Sequence, residues 1–83
     1  AATVYATLQS TAERLRTGEE DFAALESEAK ARLAAAGFQP DYFEIRRPAD
    51  LQRPLVGDRE LRIFVAAWLG RARLIDNLAV TLG

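Results

Sequence analysis

The stretch Leu61-Arg62-Ile63-Phe64-Val65-Ala66-Ala67-Trp68-Leu69-Gly70-Arg71-Ala72-Arg73-Leu74-Ile75-Asp76-Asn77-Leu78-Ala79-Val80 decides the fold. Leu61 to Leu69 is an apolar run with a β-branched centre, which predicts a central strand. Gly70-Arg71 follows as a two-residue turn with glycine first, the order a type II′ hairpin wants. Ala72 to Val80 then returns as the neighbouring strand. So short a loop sets the register: Leu69 faces Ala72, Trp68 faces Arg73, Ala66 faces Ile75, Val65 faces Asp76 and Phe64 faces Asn77. One face collects Leu61, Ile63, Val65, Ala67, Leu69, Leu74, Leu78 and Val80, and is the expected core face. The other carries Phe64, Ala66, Trp68, Ile75 and Ala79 among Arg62, Arg73 and Asn77. That second face is too apolar for open water and too mixed for a closed core.

Upstream, Tyr42-Phe43-Glu44-Ile45-Arg46 alternates as a strand does, with Phe43 and Ile45 on one side, and Pro48 ends it. Residues 48–59 hold Pro48, Pro54, Gly57 and Asp58 and read as a loop, long enough for a hairpin connection to suggest a functional segment. The first part of the chain has helical periodicity. Val4, Leu8, Ala12 and Leu15 form one stripe, with Arg14 and Arg16 in the last turn and Gly18 as the stop. Phe22, Leu25, Ala29, Leu33 and Ala36 form a second stripe, ended by Gly37. Thr17 and Glu20 have capping-box spacing, and Glu19, Glu20 and Asp21 are expected in the first turn of this helix. Glu26–Lys30 and Glu28–Arg32 are expected as solvent-side pairs. The expected fold is therefore α+β: an N-terminal helical hairpin packed on one face of a three-stranded antiparallel sheet, with residues 1–83 as one domain.

Composition bounds the function. The chain has 83 residues, a net charge of −1, and neither cysteine nor histidine. Disulfides, thiolate or imidazole metal sites, cysteine nucleophiles and histidine general bases are thus outside its chemistry. No Lys/Arg block reaches five residues, which argues against a nucleic-acid or membrane-surface footprint. No apolar run approaches the length of a membrane span. There is no signal-peptide pattern, and Ala1-Ala2-Thr3-Val4-Tyr5 is already helical in pattern with no cap of its own. The chain is therefore expected to be a piece of a larger protein.

Few residues stand out chemically. Phe64, Trp68, Arg73 and Ile75 are the candidate interface, with Trp68 opposite Arg73 as a cation–π pair. Severed from a larger protein, this face is expected to be buried by self-association through a two-fold contact. Asp76 falls on the core face and needs a partner there: a backbone N–H, an arginine or a ligand. Arg46, Arg47 and Arg53 form either a solvated edge or a grip for phosphate or carboxylate. The glycines make no dinucleotide fingerprint or phosphate loop. No catalytic, cofactor-binding or metal residue is assigned.

Two segments carry a family resemblance. Gly37-Phe38 with Asp41-Tyr42-Phe43-Glu44-Ile45-Arg46, and Val65-Ala66-Ala67-Trp68-Leu69-Gly70-Arg71-Ala72-Arg73-Leu74-Ile75-Asp76-Asn77, are similar to the C-terminal part of bacterial pantothenate synthetases. The Gly18-Glu19 corner also matches, so the resemblance covers essentially the whole chain. It implies a cytoplasmic ligase that joins pantoate to β-alanine, using ATP with Mg2+ to form a pantoyl adenylate. It places catalysis in an N-terminal nucleotidyltransferase domain bearing "HIGH"-type and "KMSKS"-type motifs, neither of which occurs here; Ala1 resembles a point just after the second. This segment would be the lid that closes on that domain, in a homo-oligomeric enzyme, and would be inactive alone. The alternative is a free-standing interaction module that uses the Phe64/Trp68 face.

Overall fold

The computed structural model describes residues 2–83; the reading of Ala1 lies outside them. Helices α1 (Ala2–Arg16) and α2 (Phe22–Ala35) precede strands β1 (Gln39–Arg46), β2 (Glu60–Leu69) and β3 (Ala72–Thr81). The strands form one antiparallel sheet in the order β1-β2-β3. The expected α+β architecture is the one observed.

Both helices end by the same local chemistry. After α2, the N–H of Phe38 donates to the carbonyl of Leu33 at 3.0 Å, and that of Gly37 to Ala34 at 3.0 Å. These two bonds are a Schellman motif, which requires the left-handed conformation that Gly37 adopts at φ 94°. α1 closes likewise, with Glu19 donating to Arg14 and Gly18 to Leu15. Phe38, buried at the end of α2, packs in the same apolar cluster as Leu33.

The beginning of α2 departs from the expectation. Thr17 does not cap it: its hydroxyl donates back to the carbonyl of Arg14, finishing α1. Asp21 is the N-cap, accepting from the N–H of Ala24 at 3.1 Å. Glu19 and Glu20 therefore precede the helix. A single corner cannot use Thr17 both to close one helix and to open the next. Ala36 also leaves the apolar stripe, as the exposed C-cap.

The core lies between the helices and one sheet face. Val4, Leu8, Ala12 and Leu15 of α1 meet Leu25, Ala29 and Leu33 of α2, Phe43 and Ile45 of β1, Leu61, Ile63, Val65 and Ala67 of β2, and Val80 of β3. α2 lies over β1 and α1 reaches β3. β1 starts three residues earlier than expected, at Gln39, and carries a bulge at Asp41 between Pro40 and Tyr42. The β2–β3 register is the expected one at every pair named, with Leu69 opposite Ala72 and Val65 opposite Asp76. Gly70 has φ 61°, and Arg71 is not left-handed, as a type II′ turn requires.

Two core-face residues are not buried. Leu69 is exposed, and so is Asp76. The helices cover β1, β2 and the far end of β3, and the hairpin tip projects beyond them. Leu74 and Leu78 are only half-buried for the same reason. Asp76 needs no buried partner: its carboxylate accepts from the backbone N–H of Asn77 at 2.8 Å.

Candidate functional site

β2 and β3 carry the open face of the sheet. Phe64, Ala66 and Trp68 alternate along β2, and the register sets Arg73, Ile75 and Ala79 beside them. Ala66 is fully buried although no helix covers this side. Its neighbours explain that: Tyr42 and Ile75 stand across from it, and Phe64 and Trp68 flank it along the strand. What the face leaves to solvent is mainly Ile75, 63% exposed, and Trp68, 39% exposed.

The guanidinium of Arg73 lies 5.9 Å from the Trp68 ring centroid, the expected cation–π pair. The same guanidinium donates to the Asp41 carboxylate, at 2.7 Å from Nη2 and 3.3 Å from Nε. The bulge in β1 supplies this partner, so a single arginine spans the top of the sheet from β3 to β1 over Trp68. Arg62 donates to Asn77 Oδ1 and closes the lower rim. The four interface candidates Phe64, Trp68, Arg73 and Ile75 thus share one surface.

The structure adds Leu51 and Tyr42 to that surface. With Glu44, Arg46 and Phe64 they line an open hollow of about 220 Å³. Leu51 holds φ 60°, a conformation a branched side chain seldom adopts, and is 57% exposed. No sequence signal marks a leucine for that role. Tyr42 could have been found: it shares the face with Glu44 by simple alternation.

Arg46, Arg47 and Arg53 do not form a solvated edge. They grip carboxylates of the chain itself. Glu26 is buried on α2, contrary to its expected solvent-side pairing with Lys30. Its carboxylate accepts from the N–H of Ile45 at 2.8 Å, from Arg46 at 3.3 Å and from Arg53 at 3.0 Å. Arg46 also pairs with Glu44, and Arg47 lies 3.3 Å from Asp58. Glu28 likewise pairs with Arg14 of α1 at 3.0 Å rather than with Arg32. The larger hollow beside the loop, about 690 Å³, includes Arg47, Arg59 and Arg62 among its walls. Those arginines already bond Asp58, the Gly83 carbonyl and Asn77 respectively. Among the described residues no group of three or more acidic side chains is placed to hold a metal ion. No helix among them is long and apolar enough to cross a membrane.

What this arrangement offers is contact rather than covalent chemistry: an apolar sheet face with an aromatic–arginine centre, a polar rim and a braced loop at its side. That defines an α+β docking module. Comparison with known proteins gives the family: the chain belongs to the pantoate–beta-alanine ligases, whose family model matches residues 1–79. It is 52% identical over 79 residues to the pantothenate synthetase of Alkalilimnicola ehrlichii, covering 95% of this chain and 28% of that protein. It is 51% identical over 82 residues to the pantothenate synthetase of Pseudomonas aeruginosa, covering 99% of this chain and 29% of that protein. The crystal structure of pantothenate synthetase from Thermus thermophilus superposes with a TM-score of 0.77 at 30% identity, over 92% of this chain and 28% of that one. The chain thus spans under a third of the length of the relatives it matches, and corresponds to their C-terminal part.

Proposed function

We propose that this chain is the C-terminal lid of an ATP-dependent ligase that joins pantoate to β-alanine through a pantoyl adenylate. The observation that carries this reading is the match of nearly the whole chain to under a third of each pantothenate synthetase. The remaining length is where an N-terminal nucleotidyltransferase domain would lie, and it is the natural partner for the open face. Phe64, Trp68, Arg73 and Ile75 are the residues that would meet that domain, as anchors inside a polar rim. Closure would keep water from the acyl adenylate. ATP, Mg2+, pantoate and β-alanine belong to the catalytic domain in this scheme. The whole enzyme is a cytoplasmic homo-oligomer.

The test is an ATP- and β-alanine-dependent pantothenate assay on the full-length gene product and on residues 1–83 alone. Activity is expected only from the former. The isolated chain is expected to bind ATP no more tightly than the millimolar range, since it lacks a phosphate-cradling loop. Calorimetry showing micromolar ATP binding by the isolated chain would overturn this reading. A second reading, a free-standing interaction module, is favoured by the exposure of Trp68 beside Arg73. It would be supported if lid deletion left ligase activity intact.

A further inference from the structure

We infer that two copies of this chain pair edge to edge through β3, antiparallel about a two-fold axis at Asn77, to make one continuous six-stranded sheet. The inference does not rest on the ligase reading; it follows from how the two sheet edges are treated. In an antiparallel ladder, alternate residues turn their N–H and C=O groups inward and outward. The Leu69–Ala72 pair closes a two-residue hairpin and is hydrogen-bonded, so the even residues of β3 face β2. Leu82 obeys the same alternation, donating to Arg59 at 2.7 Å. Arg73, Ile75, Asn77, Ala79 and Thr81 therefore turn their backbone groups to the free edge. β1 is blunted by a bulge and Pro40, and the outward N–H of Ile45 is taken by Glu26. On β3 the one such device seen is Asp76, whose carboxylate takes the N–H of Asn77.

A long bare edge is a template for another strand, and the best-matched strand is β3 itself. The strand runs from Ala72 to Thr81, so an axis at residue 76 or 77 gives the fullest overlap. An axis at Asp76 would set two carboxylates directly opposite each other. An axis at Asn77 sets Arg73 against Thr81, Leu74 against Val80, Ile75 against Ala79 and Asp76 against Leu78, with no like charges opposed. It also merges the two exposed apolar patches, because Ile75 and Ala79 lie on the β3 side of the open face. Asp76 is then a gate: its carboxylate must release the Asn77 N–H before the central pair can form.

The test is sedimentation equilibrium of the 83-residue chain at several concentrations, with circular dichroism to confirm folding. The wild type is expected to dimerise. Ile75→Pro removes an outward N–H without touching the β2–β3 ladder. By symmetry two bonds are lost, so dimerisation should weaken by about tenfold or more. Asp76→Ala should tighten it, and Trp68→Ser should change it little. Should Ile75→Pro misfold, amide hydrogen exchange on the wild type decides: Arg73, Ile75 and Ala79 should become protected as concentration rises. A strict monomer overturns the inference. So does a dimer lost in Trp68→Ser, or one whose β3 edge amides stay unprotected.

Discussion

The two edges of this sheet face the same physical problem and meet it differently. β1 would expose a row of backbone donors, and α2 lies against it. From that helix Glu26 bonds the Ile45 N–H while holding Arg46 and Arg53. β3 has no helix along its outer side, and most of its side chains are exposed. The difference shows that edge protection here is a matter of which residues the helices can reach. α2 sits close enough to β1 to bring a carboxylate to its backbone. α1 covers only the end of β3 near Val80.

The largest expected effect comes from breaking the protected edge. Glu26→Ala leaves the Ile45 N–H unpaired and two guanidinium groups without their acceptor. Removing one partner of a buried pair commonly costs more than the pair contributes. Arg53 is half in solvent, which tempers the loss. A destabilisation of about 2–4 kcal/mol is expected by urea unfolding, with Glu26→Gln losing less because its amide oxygen still accepts from Ile45. If Glu26→Ala unfolds like the wild type, this edge is held by packing alone.

Next come paired truncations on the core face. Val65 is fully buried at the centre of β2, whereas Leu74 is half-buried on β3. Val65→Ala should cost about 1–3 kcal/mol through lost burial and a residual cavity, and Leu74→Ala less despite its larger truncation. The reverse order would mean that β3 is covered in solution, as dimer formation would bring about. The smallest effect on the fold is expected at Asp76→Ala. Its carboxylate is exposed and makes one local bond, so the change in stability should stay within about 0.5 kcal/mol.

Much of this architecture was legible because it is written in short-range chemistry. The Gly70-Arg71 turn set the β2–β3 register, and that register placed Phe64, Trp68, Arg73 and Ile75 on one surface. The Trp68–Arg73 pair followed from the same counting. What could not be read was how far the helices extend over the sheet. Period alone put Leu69 and Asp76 on the core face, yet neither is covered. Glu26 shows the complementary failure. Helical spacing offers it Lys30 as a partner, whereas the fold brings it Arg46 and Arg53 from distant segments and a strand amide in need of an acceptor. Leu51 carries no signal of its left-handed backbone, because the loop's closing bonds impose it from outside.

Residues 47–59 lack regular structure, but little of their backbone is free to vary. The N–H of Arg47 donates to Gln52 at 2.9 Å and that of Leu51 to Arg47 at 2.8 Å. Gln52 is held by Asp50, and Leu55 by Asp58. Arg53 moors the segment to α2 through Glu26. A segment tethered in this way has already given up much of the conformational entropy that an ordinary loop of its length keeps until it binds. Whatever surface meets Leu51, Leu55 and Val56 therefore meets a preformed shape, and association loses little further freedom there. The same tethering sets a kinetic expectation. Docking of this side should proceed at the rate of encounter rather than wait for a loop to find its conformation.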